Sequence, residues 1–476
     1  MNQYFYNQYS DGFFHINSKN GFLPISDPLK VLPNKYYDLQ ELINQLHVFQ
    51  KDNIKGVLAV PNMIEDRISL IPNYVEDIKN EDDVFILQAL YRAYTFITSG
   101  YTLELSYQEF IKSGNYGKAR QLLPANIAIP LVEVSNKLKV YPWLDYHYSY
   151  SIGNYVKKDP NGTLDWKNLD MACKFTGGSD EVGFIMLHVY INELSPMLVG
   201  SVMDYGANHF VKDLQVCGEV MTEINSRRRQ MWEASRHDHY NDFRIFIMGI
   251  KGNDSIFGDG LVYEGCFDNI PQQFRGQTGA QDSIIPMIDI FTGIVDYYPD
   301  NKLTEYLLDL RTYRPVCIQN FFKDLREYYQ ANPIYKFLCD TNNIIGLVFL
   351  LKIVDEVYLF RNGHWQFVQK YIMSNTKYAF ATGGTPITTW LINQIEAVLR
   401  YEEVIINYIK NNIKKYNNDI SLLSCNELWN NLSNSYNSKK QLLYDQVNEL
   451  NNINYNIKLI YSMNTKMNLE DKLFLK

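Results

Sequence analysis

The chain reads as all-α. Apolar residues recur at the helical period wherever a pattern is clear, alternating strand-like runs are few and short, and two stretches hold the helical period over several turns. At 476 residues and 46% hydrophobic it can bury a large core, and its length predicts two or three domains.

Taken in order, DDVFILQALYRAYTFITSGYTLEL at 82–105 predicts one helix with Gly100 near its end. Pro124, Pro130 and Pro142 then place a boundary between 120 and 145, so residues 1–130 form a small N-terminal helical domain. Residues 131–400 form a large helical domain whose helices are separated by glycine-rich loops: KGNDSIFGDGLVYEG at 251–265, FRGQTGAQDS at 274–283 and ATGGT at 381–385. Glycine clusters suit a ligand cradle and plain turns alike. Residues 401–476 become Asn/Lys-rich and stay roughly helical, with Leu422, Leu423, Leu442 and Leu443 among the apolar positions. This C-terminal helical extension carries no visible chemistry, and the chain shows no internal repeat.

Composition excludes several classes of function. A net charge of -8 argues against a phosphate-binding surface, and hence against nucleic acid as partner. The six cysteines are far apart with no CxxC pair, which suggests neither a zinc knuckle nor a disulfide framework and fits a reducing compartment. The first residues, MNQYFYNQYSDGFF, lack the basic start and apolar run of a signal peptide. The longest strongly apolar run, 344–351, is far shorter than the about 20 residues that span a bilayer. The expectation is a soluble, cytoplasmic protein without a membrane partner.

The most informative segment is RNGHWQFVQKYI at 361–372. Ile353, Val357, Phe360, His364, Phe367 and Tyr371 follow the stripe that a 3.6-residue period turns toward a core, so His364 points inward. A buried imidazole needs a partner, and the spacing leaves three open: an ordinary hydrogen bond, a catalytic neighbour or a metal. Arg361, three residues earlier, leaves the same side of the helix, either as a solvated charge or as an anion anchor. Arg244, in DFRIFIMG, sits among apolar neighbours that make an unpaired charge costly, with Asp242 as one available partner.

These segments, in this order, resemble the indoleamine 2,3-dioxygenase family of haem enzymes. The resemblance runs from about Asn154 to Ile395: NYVKKDP, HYNDFRIFIMGIKGN, DGLVYEG, FRGQTGAQDSIIPMID, the RNGHWQFVQKYI helix and ATGGT follow in family order. It implies haem b bound through His364 as proximal ligand, with the second ring nitrogen donating to a carbonyl, carboxylate or water. Gly363 is then understood as room for a flat macrocycle, at about 1 kcal/mol of helix propensity. Arg361 and Asp289 stand where the family holds a haem propionate, and Thr278 where it has a hydroxyl beside the haem.

For the substrate, the resemblance implies Arg244 binding an amino-acid carboxylate bidentately. Phe184 and Tyr240 line the indole pocket, and Thr382 lies near the substrate's ammonium and carboxylate. Two positions depart from the mammalian pattern: His188 replaces a distal serine, and His239 replaces a phenylalanine beside the substrate. His188 is similar to the distal histidine of tryptophan 2,3-dioxygenases, which contacts the indole nitrogen. The implied reaction inserts both atoms of O₂ across the C2=C3 bond of L-tryptophan, giving N-formylkynurenine, with an electron donor keeping the haem ferrous. Two alternatives stay open: a haem monooxygenase acting on another indole or aromatic substrate, and a non-catalytic haem sensor.

Overall fold

The computed structural model describes residues 8–49, 54–299, 302–373, 382, 387–413 and 420–453. It is 67% helical with 4% strand, so the all-α expectation holds. The strands are short clips: Leu122–Leu123 pairs in parallel with Val262–Tyr263, and Tyr155–Lys157 pairs antiparallel with Leu169–Met171.

The first long helix runs from Val84 to Ser113, longer than the sequence pattern predicts. Asp83 caps its start by accepting from the Phe85 and Ile86 amides, and Gly114, at φ 74°, ends it in the left-handed conformation that glycine adopts without cost. Gly100 is therefore interior, where a Cβ would stand 3.3 Å from the Leu58 side chain. Pro130 also lies inside a helix, Ala125–Leu138, so a boundary drawn at residue 130 would cut an element. Buried apolar residues from Tyr9 to Leu450 form one continuous cluster that draws on all three predicted regions.

Two contacts tie the first long helix to the segment carrying Arg244. The Ser99 hydroxyl donates to the Phe246 carbonyl at 2.5 Å, and Phe175 stacks between Phe96 and Phe246 with ring centroids 4.5 and 5.2 Å away. Residues 179–208 are long and apolar enough to cross a bilayer by length and composition. They form two helices, Ser179–Asn192 and Ser195–Asn208, and 56% of the most apolar window is buried inside the fold.

The helix bearing His364, Ile344–Phe367, is the hub of the C-terminal half. Asn343 caps it, accepting from the Gly346 amide at 2.8 Å, and it packs against helices Val211–Arg229, Ile387–Asn412 and Ile420–Asn452. Beyond Phe367 the chain widens into a π-helical turn, Val368–Met373. The predicted stripe continues through it to buried Tyr371, whose hydroxyl donates to the Met231 and Ser235 carbonyls.

The C-terminal extension has a definite seat. Lys439 of Ile420–Asn452 inserts between Asp355 of the His364 helix and Glu402 of Ile387–Asn412, at 2.8 Å from the Glu402 Oε2, and all three side chains are buried. Removing the ammonium leaves two carboxylates facing each other in a low dielectric. Lys439→Met is expected to lower unfolding stability by about 3 kcal/mol in chemical denaturation. A change within about 0.5 kcal/mol, typical of a surface site, would show that the triad does not hold the extension in place.

Candidate active site

The inward face of the His364 helix borders a cavity of about 270 Å³. On the same measure a water molecule needs only about 10–15 Å³, so this is space for a sizeable ligand. Helix Ser179–Asn192 contributes Phe184, His188 and Asn192 to the wall, and the short helix Tyr240–Arg244 contributes Tyr240. The loop 277–282 contributes Thr278 and Asp282, while Asp289, Arg361, His364 and Thr382 complete the expected set. Eight of the ten residues singled out from the sequence thus meet around one space.

The His364 imidazole has no hydrogen bond to any described residue, so a carbonyl or carboxylate partner for its second nitrogen is absent among them. Burial first, then the Arg228 guanidinium and the His188 ring, pull its imidazole down from the ordinary 6.5 to about 4. It is neutral at neutral pH, the form in which imidazole binds iron.

Gly363 has a different purpose from the one expected. A Cβ there would lie 2.1 Å from both terminal nitrogens of Arg228, so the glycine makes room for a guanidinium rather than for a macrocycle. Arg228 is buried, lines the cavity, donates from Nε to Asn225 Oδ1 at 3.3 Å and stacks its charge over Phe360 and Phe367.

Arg361 is held in a buried cluster. Its Nη2 donates to Asp289 Oδ2 at 2.5 Å and to the Tyr298 hydroxyl at 2.9 Å, and its Nη1 to the Gln394 carbonyl at 2.9 Å. Tyr298 also donates to Asp289, whose second oxygen, Oδ1, is buried without a hydrogen bond to any described residue. Burial pushes the Asp289 carboxyl up, and the adjacent Arg361 opposes the shift.

Elsewhere in the wall, His188 Nδ1 lies 3.0 Å from the Phe184 carbonyl. A carbonyl only accepts, so Nδ1 carries the proton and Nε2 is left as an acceptor. Burial pulls the ring down from its ordinary value, which keeps it neutral, against an opposing pull from Asp282. Asp282 is fixed by the Tyr146 hydroxyl and the Asn192 amide, each at 2.7 Å, and by the Ile284 amide at 2.8 Å.

Thr278 accepts from the Ala280 amide at 3.3 Å, which leaves its donor and one acceptor site, and Thr382 donates to the Gln277 carbonyl at 3.0 Å, which leaves its two acceptor sites. The remainder of ATGGT, glycines included, lies outside the described residues. Glycine in the loops serves close approach where the chain crosses itself. A Cβ on Gly249 would fall 1.9 Å from the Gly276 nitrogen, and the crossing is sealed by the Ile250 and Lys251 amides donating to the Phe274 carbonyl.

Two expected residues stand apart from the cavity wall. His239 sits in the 3₁₀ turn His237–His239 with 40% of its side chain exposed, drawn outward by Asp242 at 2.9 Å. It does not put a polar group beside the substrate space, and Asp242 is engaged with it. Arg244 is fully buried one turn beyond Tyr240, where its Nη1 donates to the Tyr116 hydroxyl at 3.0 Å.

The cavity also holds residues that the sequence did not single out. Arg228, Arg311 and Arg314 join Arg361, against the carboxylates of Asp282 and Asp289. Arg314 donates to the Ala280 and Asp282 carbonyls at 3.1 and 2.9 Å, and burial pulls it down to about 9. Arg228 lies in a run of three arginines that reads as a solvated face, and Arg311 and Arg314 sit at a helix end, where basic residues are ordinary.

A sequence model of the family described as Indoleamine 2,3-dioxygenase matches residues 11–397. The chain belongs to the indoleamine 2,3-dioxygenase family. It is 30% identical over 268 residues to indoleamine 2,3-dioxygenase 1 of Rattus norvegicus, covering 54% of this chain and 64% of the relative. It therefore spans less than two thirds of that protein's length in the match, as it does for the Mus musculus counterpart. Similarity to indoleamine 2,3-dioxygenase 2 of Mus musculus is 26% over 383 residues, covering 79% of this chain and 87% of the relative. A 6-hydroxytryptophan 2,3-dioxygenase of Fusarium equiseti is 25% identical over 342 residues, covering 67% and 76%.

Haem, which this indoleamine 2,3-dioxygenase family implies, suits the site on two counts. A neutral imidazole without a described hydrogen-bond partner faces the cavity, and the wall carries more guanidinium than carboxylate charge, as a dicarboxylate tetrapyrrole requires. His364 would hold the iron.

The depressed His364 value has a measurable sign. The unfolded chain takes up a proton on this residue as pH falls below about 6.5, whereas the folded chain resists until about 4. The stability of the cofactor-free chain should therefore fall between those limits relative to His364→Phe, which lacks the group. A stability difference between the two proteins that stays constant from pH 7 to 4 would contradict the placement.

Proposed function

We propose that the chain is a haem-dependent dioxygenase that opens the C2=C3 bond of the indole ring of L-tryptophan or a close relative, giving N-formylkynurenine from tryptophan. The observation that carries this reading is His364, neutral and facing the same cavity as Phe184, His188 and Tyr240. When bound, haem supplies the activation of O₂, which protein side chains cannot perform.

The residues of this chain would bind and orient. Phe184 and Tyr240, with ring centroids 5.0 Å apart, offer an aromatic wall for an indole. His188 presents Nε2 as an acceptor for the indole N–H, a bond that an N-methylated analogue cannot make. Thr382, with its donor used and its acceptor sites free, suits the substrate ammonium. Arg244 is assigned the substrate carboxylate, which it would take in exchange for the Tyr116 hydroxyl it now holds. The apolar remainder of the wall excludes bulk water. An external electron donor keeps the iron ferrous, and the reducing, cytoplasmic setting expected from the cysteine pattern is part of the proposal.

A ring-hydroxylated indole is the second reading. Asp282 places a fixed carboxylate in the wall near His188, a suitable acceptor for a phenolic hydroxyl, and one relative is named for 6-hydroxytryptophan.

The test is turnover of the haem-loaded, reduced chain with tryptophan under ¹⁸O₂, followed by mass spectrometry of the product. Two labelled oxygens in a ring-opened product are expected. One labelled oxygen would indicate monooxygenation. A six-coordinate ferrous spectrum, unchanged by CO or tryptophan and without product, would indicate a haem sensor with His188 and His364 as the two axial groups.

A further inference from the structure

We propose that Arg311 anchors a carboxylate of the bound tetrapyrrole, a role that the family resemblance gives to Arg361. The proposal rests on the haem reading above and assigns a residue that the sequence pattern passed over.

Arg361 is largely committed within the protein. Its Nη2 serves Asp289 and Tyr298, its Nη1 serves the Gln394 carbonyl, and Asp289 neutralises its charge in a buried pair. Arg311 is the opposite case. It is the last residue of helix Lys302–Arg311 and lines the same cavity, yet it makes no hydrogen bond or ion pair with any described residue. Asp289 and Tyr298 act on it through their field, but that carboxylate is already taken by Arg361. Arg326, which adds repulsion, is itself paired with Asp296 at 2.9 Å.

Arg311 is partly buried at the cavity wall, where desolvation disfavours its charge and no described group pairs with it, so an anion brought by a ligand would supply the missing partner. Among anions, a carboxylate matches the planar fork of donors. Two carboxylate sources enter this cavity, the tetrapyrrole and the amino-acid substrate. The tetrapyrrole is favoured because Arg311 shares the fields of Asp289 and Tyr298 with Arg361, which lies one helical turn before His364, whereas Phe184, His188 and Tyr240 belong to other elements of the wall.

The experiment titrates the full chain, prepared without haem, with iron protoporphyrin IX and with its dimethyl ester, following quenching of tryptophan fluorescence. Wild type should prefer the free diacid. Arg311→Gln should weaken diacid binding about tenfold or more while leaving the ester unaffected, and Arg311→Lys should restore part of the preference. Equal weakening of diacid and ester would make Arg311 a structural residue and overturn the proposal. Unchanged diacid affinity with weakened tryptophan binding would assign Arg311 to the substrate carboxylate and overturn it likewise. Failure of wild type to bind either porphyrin would overturn the haem reading itself, an outcome distinct from a mutant-specific result. Far-ultraviolet circular dichroism of each variant separates loss of a contact from loss of fold.

Discussion

A neutral imidazole held open to a cavity, without a described protein partner for either nitrogen, is the constraint around which the C-terminal half is arranged. Polar groups in a folded interior are normally satisfied by their neighbours, and His364 is left to a ligand. Keeping it there requires a helix that cannot rotate or slide. Helices on three sides grip the His364 helix, Arg361 clips it to Asp289 and Tyr298, and Lys439 fastens it to the C-terminal extension through Asp355. The extension lies beyond the residues matched to the family, yet it bears directly on the helix that carries the family's axial position.

Electrostatics divides the cavity into two parts with different preferences. Beside His364 the charge is positive, with buried Arg228 pressed against the backbone at Gly363, and partly buried Arg311 lines the same cavity without a described counter-ion. Around Phe184 and Tyr240 the wall is aromatic, and its polar contribution is the acceptor nitrogen of His188 with Asp282 behind it. A flat dianion and an indole would sort themselves between these regions on charge alone. His239, by turning outward to Asp242, leaves that second region less polar than the sequence implied.

How much of this was legible in the sequence follows from the range of each signal. The His364 stripe is a local periodicity, and local periodicity survives folding, so its inward direction could be read directly. Asp289 and Arg361 were legible only through family order, since they are 72 positions apart along the chain. Arg228 could not be read, because a run of three arginines looks like a solvated face. Only the packing of another helix's glycine against it reveals that Arg228 is buried while Arg229 is exposed. His239 was expected beside the substrate on the resemblance alone, and in the 3₁₀ turn His237–His239 its ring meets Asp242 instead of the cavity. Gly100 and Pro130 were read as punctuation, but both sit inside helices that tertiary packing sustains.

The most direct measurement is anomalous diffraction at the iron absorption edge from crystals of the haem-loaded chain. One peak is expected in the cavity, within bonding distance of His364 and not of His188. A peak bonded to His188 instead, or lying outside the cavity, would contradict it.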